Sequence, residues 1–313
     1  MKRFILFVIL AVILDQSLGY FLNILYAKTT TGETTGMINY ALNQSPDVMV
    51  LGSSRARHHV SPAILSQRLS ATVFNAGANG QDFLYAVMLM SLWCPTHAPP
   101  KVILLHIDKS SLSHREEEIQ KTSVFSAFYT KSAEVKSILR LRSRFERLKY
   151  LSYCYRFNGK VFPILKNLVS HSNNSFDGYV GLEGALDPNT TPVVKIPMPS
   201  QADFSQCWDI KLRHLENLAR YCKTNGCRLV LFHSPYFDDS PADMAYLMEL
   251  FTHINLGDQR VEYLDLSDQT LQLFAGRAEL FKDRYHLNVR GSELFSRVLA
   301  DHLAAVPHAP VTN

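Results

Sequence analysis

Hydrophobic and polar positions along this chain follow two regimes: one long apolar run at the N-terminus, then short apolar runs alternating with longer amphipathic ones. Lys2 and Arg3 precede an unbroken apolar run from Phe4 to Leu14; Asp15 and Gln16 interrupt it, and a second apolar stretch continues from Leu18 to Tyr26. Together, residues 4 to 26 reach the roughly 20 residues that cross a bilayer as a helix. The aspartate near the middle costs about 2.5–3.5 kcal/mol on insertion scales, which so apolar a flank can bear. The favoured expectation is an uncleaved anchor over residues 1–28. A cleavable signal peptide with Ser17-Leu18-Gly19 as its small-residue site, and a buried N-terminal helix, are the alternatives. In the first two readings the basic start holds the N-terminus in the cytoplasm, and the rest of the chain is exported to the extracytoplasmic (periplasmic) side.

Residues 29–46 form a linker and lead-in, with a polar, Thr- and Gly-containing stretch from Thr29 to Gly36. Alternation begins after it. Val48 to Leu51 is wholly apolar and ends in Gly52, as expected of a parallel strand covered on both faces. Further strands are expected at Ala71–Asn75, Lys101–Ile107, Arg228–Phe232 and Val261–Leu266. Helical patterns lie between and after them, at Pro62–Leu69, Asp82–Trp93, Trp208–Thr224, Pro241–Phe251 and Val289–Leu303. Strands alternating with helices predict βαβ units: a mainly parallel five-stranded sheet in an α/β three-layer sandwich, occupying residues 47–306. In such sheets, ligands bind beyond the C-terminal ends of the strands. The stretch from about 110 to 205 breaks the alternation and reads as an insertion bordering the site. Its middle, Lys131 to Tyr150, looks helical, with seven basic residues against Glu134 and Glu146. Its later part, Ser172 to Pro199, is rich in Asn, Gly and Pro and reads as loop. Residues 307–313 form a tail.

Composition adds mainly exclusions. With 47% apolar and 19% charged residues, the chain is globular rather than disordered. A net charge of +4 gives no case for nucleic acid, which needs basic residues gathered on one face. Five scattered cysteines lack the paired spacing of a structural zinc site. Cys222 and Cys227 are the one pair placed to bridge in an oxidising compartment; buried free thiols are the plainer expectation. No metal or cofactor is implied, and protein partners are left open.

Three segments carry candidate chemistry, each directly after an expected strand. Gly52-Ser53-Ser54-Arg55 follows the first, where a glycine permits a tight turn and lifts the next side chains to the sheet edge. Taken alone, Ser-Ser there is equally a helix cap. Asn75-Ala76-Gly77-Ala78-Asn79-Gly80-Gln81 follows the second, bringing Gly80 and Asn79 as backbone and side-chain donors to the same edge. Alone, it is a glycine turn. Asp283-Arg284-Tyr285-His286 follows the fifth. A serine hydroxyl needs a base to take its proton, and a histidine base needs a carboxylate to fix its tautomer; Asp three residues before His in a turn supplies one. His58 and His59, being adjacent, are expected to diverge on a regular element, and His233-Ser234 reads as a structural turn.

Taken together, the segments resemble those of the SGNH hydrolase superfamily, over roughly Asp47 to His302. Gly52-Ser53-Ser54 looks like its Gly-Asp-Ser block with serine for aspartate, Asn75 to Gly80 like its glycine block, and Asp283 to His286 like its Asp-x-x-His block. With the anchor before it, the chain also resembles the D-alanyl transfer protein family of lipoteichoic acid synthesis and, more loosely, envelope polysaccharide O-acetyl-handling proteins. The resemblance implies a flavodoxin-like sheet, Ser54 as nucleophile, His286 as general base, Asp283 as its orienting partner, and the N–H groups of Ser54 and Gly80 as oxyanion donors. One block departs: Asp108 stands about where an oxyanion asparagine belongs, and an ionised carboxylate donates no hydrogen bond. Asn79 or Arg55 is the nearest substitute; Arg55 is otherwise a binder of an anionic substrate group or an ion-pair partner. The expectation is an exported, tethered esterase or acyltransferase handling a small, acetyl-like acyl group on an envelope glycan or glycolipid. The competing readings are a catalytically weak SGNH-like protein binding an envelope polymer or membrane partner, and a lipase.

Overall fold

A computed structural model describes residues 1–32, 36–169, 177–189, 209–254 and 261–305. The chain divides into two compact units. One comprises Met1–Gln44, Val87–Thr96 and Arg115–Ser175; the other comprises Ser45–Ala86, His97–His114 and Phe176–Asn313.

The first unit begins with α1 (Lys2–Ala27), a single uninterrupted helix long and apolar enough to cross a membrane. After α2 (Met37–Ala41), the unit's remaining helices are short: α6 (Glu116–Lys121), α7 (Ala133–Leu139), α8 (Glu146–Lys149) and α9 (Val161–Val169), joined by 3-10 turns. The helix expected over Lys131–Tyr150 is therefore two helices with a break. Ser132 caps α7 by accepting from the N–H groups of Glu134 and Val135, and Ser143 is extended, which ends the first before the second starts. Its basic residues are partly neutralised, because Arg142 and Lys149 both pair with the buried Glu146.

The second unit is built on five strands, β1 (Val48–Leu51), β2 (Val73–Asn75), β3 (Val102–His106), β4 (Arg228–Phe232) and β5 (Val261–Leu264). All are parallel, in the order β2-β1-β3-β4-β5. The central strands are short apolar runs with both faces buried, as all-parallel pairing demands. Its helices in chain order are α3 (Ser54–His59), α4 (Pro62–Leu69), the first residues of α5 (Phe83–Trp93), which passes into the first unit at Val87, then α10 (Asp209–Thr224), α11 (Pro241–His253), α12 (Ser267–Phe274) and α13 (Val289–Ala305). Helix α13 packs along α4 and against α3, with Phe295 and Leu299 joining Val50, Leu104 and Val230 in the core. Of the loop expected at 172–199, only 177–189 falls within the described residues, and it is irregular there. Trp208, Cys207 and the 307–313 tail lie outside them. Cys222 and Cys227 are buried free thiols rather than a bridge.

From β1 the chain passes to the edge strand β2, then returns past β1 to β3, so the order reverses between β1 and β3. The crevice beyond the C-terminal ends of those two strands is where doubly wound sheets bind ligands, and Gly52 opens it. Its φ of +144° is a value side-chain-bearing residues rarely adopt, and a Cβ there would lie 2.7 Å from that of His106 on β3. Only glycine lets the chain turn this tightly out of β1.

Candidate active site

Ser53 starts α3 by accepting a hydrogen bond from Arg55 N–H at 3.3 Å, which leaves Ser54 as the first helical residue. Opposite it, a tight loop closed by the Phe281–Leu287 bridge and by Lys282 N–H donating to the His286 carbonyl presents Asp283 and His286 side by side. Asn288, ahead of α13, accepts from Gly291 N–H and so caps that helix while fixing the end of the loop. The Ser54 hydroxyl lies 2.8 Å from His286 Nε2, and His286 Nδ1 lies 3.0 Å from both Asp283 oxygens. Because the carboxylate accepts only, Nδ1 carries the proton and Nε2 is the acceptor for the serine. Backbone N–H groups of Tyr285 and His286 also donate to Asp283. Burial alone would raise this carboxyl; the bond from His286 and those two N–H groups outweigh it and lower it, so Asp283 is charged at neutral pH. The His286 side chain is 24% exposed, so the relay is open to a substrate.

The glycine segment is held to α3 by Asn75. Its buried amide donates to the carbonyls of Ala56 and Val60 and accepts from Gly77 N–H. Ala78 N–H donates to the Gly52 carbonyl at 3.1 Å, and Gly80, at a φ of +67°, is exposed in the turn that follows. Asn79 hydrogen-bonds His58. Asp108 is in an ion pair: Arg55 Nη2 approaches it at 3.3 Å, and the Ser110 N–H donates to its other oxygen. Burial pushes the Asp108 carboxyl up; the Arg55 guanidinium overrides it and holds it well below the usual range. Arg55 itself is 3% exposed, donates to the Ser234 carbonyl and lies 3.6 Å over the Tyr236 ring. Of the two roles open to Arg55 from sequence, the geometry is that of the ion-pair partner.

His58 and His59 go to different partners, the Val180 carbonyl and Ser234 Oγ, yet both rings stand edge-on to His286, at 5.7 and 6.2 Å between centroids, which the sequence reading did not anticipate. Neither belongs to a metal cluster among the described residues. His59 instead heads a chain that sequence reasoning missed. Leu287 N–H donates to His59 Nε2 at 2.9 Å, so the ring proton is on Nδ1 and faces Ser234 Oγ at 2.9 Å. Ser234 Oγ lies in turn 3.2 Å from His106 Nε2. The residue after His286 is thereby pinned by a neutral imidazole. Residues just past β3 and β4 were visible as positions to inspect, but their convergence on α3 was not.

Burial above all depresses both imidazoles below the ordinary histidine range, with the Arg55 guanidinium adding to it for His106, so both are neutral at pH 7. A depressed histidine binds a proton in the unfolded state first, so its contribution is complete above about pH 6.5 and drains away as pH falls towards the folded value. The expected result is a melting temperature, for the full chain in detergent, that drops steeply from pH 6.5 to 5. Each group contributes a slope of up to about 1.4 kcal/mol per pH unit. A flat profile over that interval would contradict the neutral chain.

The chain matches no protein-family model and no curated protein.

Proposed function

We propose that this chain is a serine hydrolase or acyltransferase of the SGNH type, with helices on both faces of its sheet as a three-layer sandwich. In this reading α1 tethers it to the cell membrane, and the second unit acts on the extracytoplasmic side. The substrate class is a small, acetyl-like acyl ester of an envelope glycan or glycolipid. The observation that carries the reading is the unbroken Ser54–His286–Asp283 relay at 2.8 and 3.0 Å, beside the β1/β3 crevice.

In the first step His286 Nε2 takes the Ser54 proton as Oγ bonds to the acyl carbon, and Asp283 stabilises the resulting imidazolium. The N–H groups of Ser54 and Gly80 receive the oxyanion. The bond to the alcohol breaks as His286 returns the proton to the departing oxygen, leaving an acyl-serine. Water or a sugar hydroxyl then gives its proton to His286 as it attacks that ester, and His286 passes the proton to Ser54 Oγ as the acyl–oxygen bond breaks, restoring both residues. Asp108 offers no third oxyanion donor while Arg55 holds it charged. This favours, as a second reading, a weak or inactive relative that binds an envelope polymer. A fluorophosphonate probe separates the two: covalent labelling of the full chain, mapped to Ser54, is expected of the enzyme, and an unlabelled Ser54 in the folded protein would leave the binding reading.

A further inference from the structure

Asp15 is the one carboxylate in α1, and its surroundings define how deep part of the first unit sits. It accepts from Ser152 Oγ at 2.6 Å, from Tyr153 N–H at 2.7 Å and from Cys154 N–H at 3.3 Å. The same helical face continues through Gly19, Leu22 and Tyr26. A Cβ on Gly19 would lie 2.5 Å from that of Tyr153, so this glycine is what allows the close approach. Tyr26 packs on Phe128 and Phe157, and Leu22 joins Phe157 and Ile164 in one apolar cluster. Residues 152–164 are therefore fixed at the level of α1 from Asp15 onward.

Asp15 stands 11 residues beyond Phe4, a rise of about 16 Å, against a hydrocarbon layer about 30 Å thick. Apolar surface does not stop there. On the face away from Tyr153, Leu18, Tyr20, Phe21 and Ile24 stay exposed. The rise from Phe4 to Ile24 is about 30 Å, a full hydrocarbon thickness. A bilayer matched to that length includes the level at which residues 152–164 are attached. The flanking helices show apolar side chains outward: Phe145, Leu148 (62% exposed) and Leu151 (73%) around α8, and Val161, Phe162 (76%) and Leu165 on α9. Among the described residues after α1, the one further exposed large apolar side chain is Met248, at 37% less exposed than any of these six. Arg144, Arg147 and Lys166 are exposed among them, long enough to extend their charges to anionic headgroups while their stems stay in apolar surroundings.

We propose that Phe145–Leu165 is a second membrane contact, a monotopic shelf whose apolar side chains enter the acyl region of the leaflet reached by the C-terminal half of α1. It rests on the reading of α1 as a membrane helix. Exposed loops do not survive in hydrocarbon unless their polar backbone is satisfied, and the Asp15 carboxylate satisfies the N–H groups of Tyr153 and Cys154 at this point.

The test uses the unaltered full chain in nanodiscs of phosphatidylcholine and phosphatidylglycerol containing a phospholipid with a photoactivatable diazirine in its acyl chain. Adducts are mapped by mass spectrometry. The expected result is labelling of Phe145–Leu165 at a level comparable to that of Phe4–Ile24, with only background on residues 209–254. Adducts confined to α1 would overturn the shelf and leave the membrane helix standing. Background on both segments would overturn the shelf and the membrane helix together. A shelf protected from lipid by a second copy, seen as chain-to-chain crosslinks at Leu148 or Phe162 when diazirine-bearing residues replace them, would overturn the lipid in favour of self-association.

Discussion

Replacing Ser54 by alanine is expected to remove turnover of a small neutral ester, with kcat falling by up to the order of 10⁶ while the melting temperature stays near that of the unaltered chain. His286→Ala should cost about as much, and the double variant no more than either single one, because a nucleophile without its base and a base without its nucleophile are the same failure. Asp283→Asn is predicted to lose about 10⁴-fold, since an amide at this position no longer fixes the Nδ1–H tautomer that leaves Nε2 free to accept from Ser54. Kinetic measurements on these four folded variants check the assignment. Near-normal kcat in either alanine variant, or additive losses in the double variant, would remove the relay from the chemistry.

The second large effect is on stability. Asp108→Asn leaves the Arg55 guanidinium, 3% exposed, with a neutral partner. Breaking one side of a buried pair costs about 3–5 kcal/mol. Arg55 keeps the Ser234 carbonyl and the Tyr236 face, so the lower end is expected: about 3 kcal/mol, or roughly 6–12 °C in melting temperature for a unit of this size. The sign with pH follows from the lowered Asp108 carboxyl. Its contribution is present above the ordinary carboxylate range and is lost as pH falls through the folded value, so the gap between the two proteins should be full at pH 7 and narrow below about pH 4. Replacing both partners, as in Arg55→Met with Asp108→Leu, should cost less than Asp108→Asn alone. If Asp108→Asn instead raised activity without loss of stability, the position would be a vacant oxyanion donor site rather than one half of an ion pair.

The sheet was legible because its strands are apolar runs with sharp ends. β1 and β4 have the bounds the sequence suggests, since Gly52 ends one and Arg228 starts the other just after a turn at Gly226. β5 ends two residues before its sequence pattern does, because Asp265 and Leu266 continue that pattern while the Asp265 side chain already turns the chain by accepting from Ser267 N–H. That turn opens α12, whose short, mixed pattern gave no strong periodic signal. The relay was readable from motif spacing; the network behind it was not. His59 and Ser234 are 175 positions apart, and their contact is a property of strand order, which local pattern does not encode. The same holds for Asp15: sequence shows a costly carboxylate in an apolar helix, but not that residues 152–154 satisfy it.

His286 and Asp283 belong to one four-residue turn, closed on itself by the bonds from Tyr285 and His286 N–H to Asp283, whereas Ser54, the proposed nucleophile, comes from another part of the sheet. The relay thus behaves as a rigid latch facing a fixed striker. Displacement of the turn as a whole carries imidazole and carboxylate together and preserves the tautomer, so the one coordinate left to vary is the gap between Nε2 and Ser54. Leu287 bonded to His59 is the hinge pin beside that gap. In the proposed chemistry a substitution at His59, which touches no reacting atom, would therefore register as a change in the distance from Nε2 to Ser54.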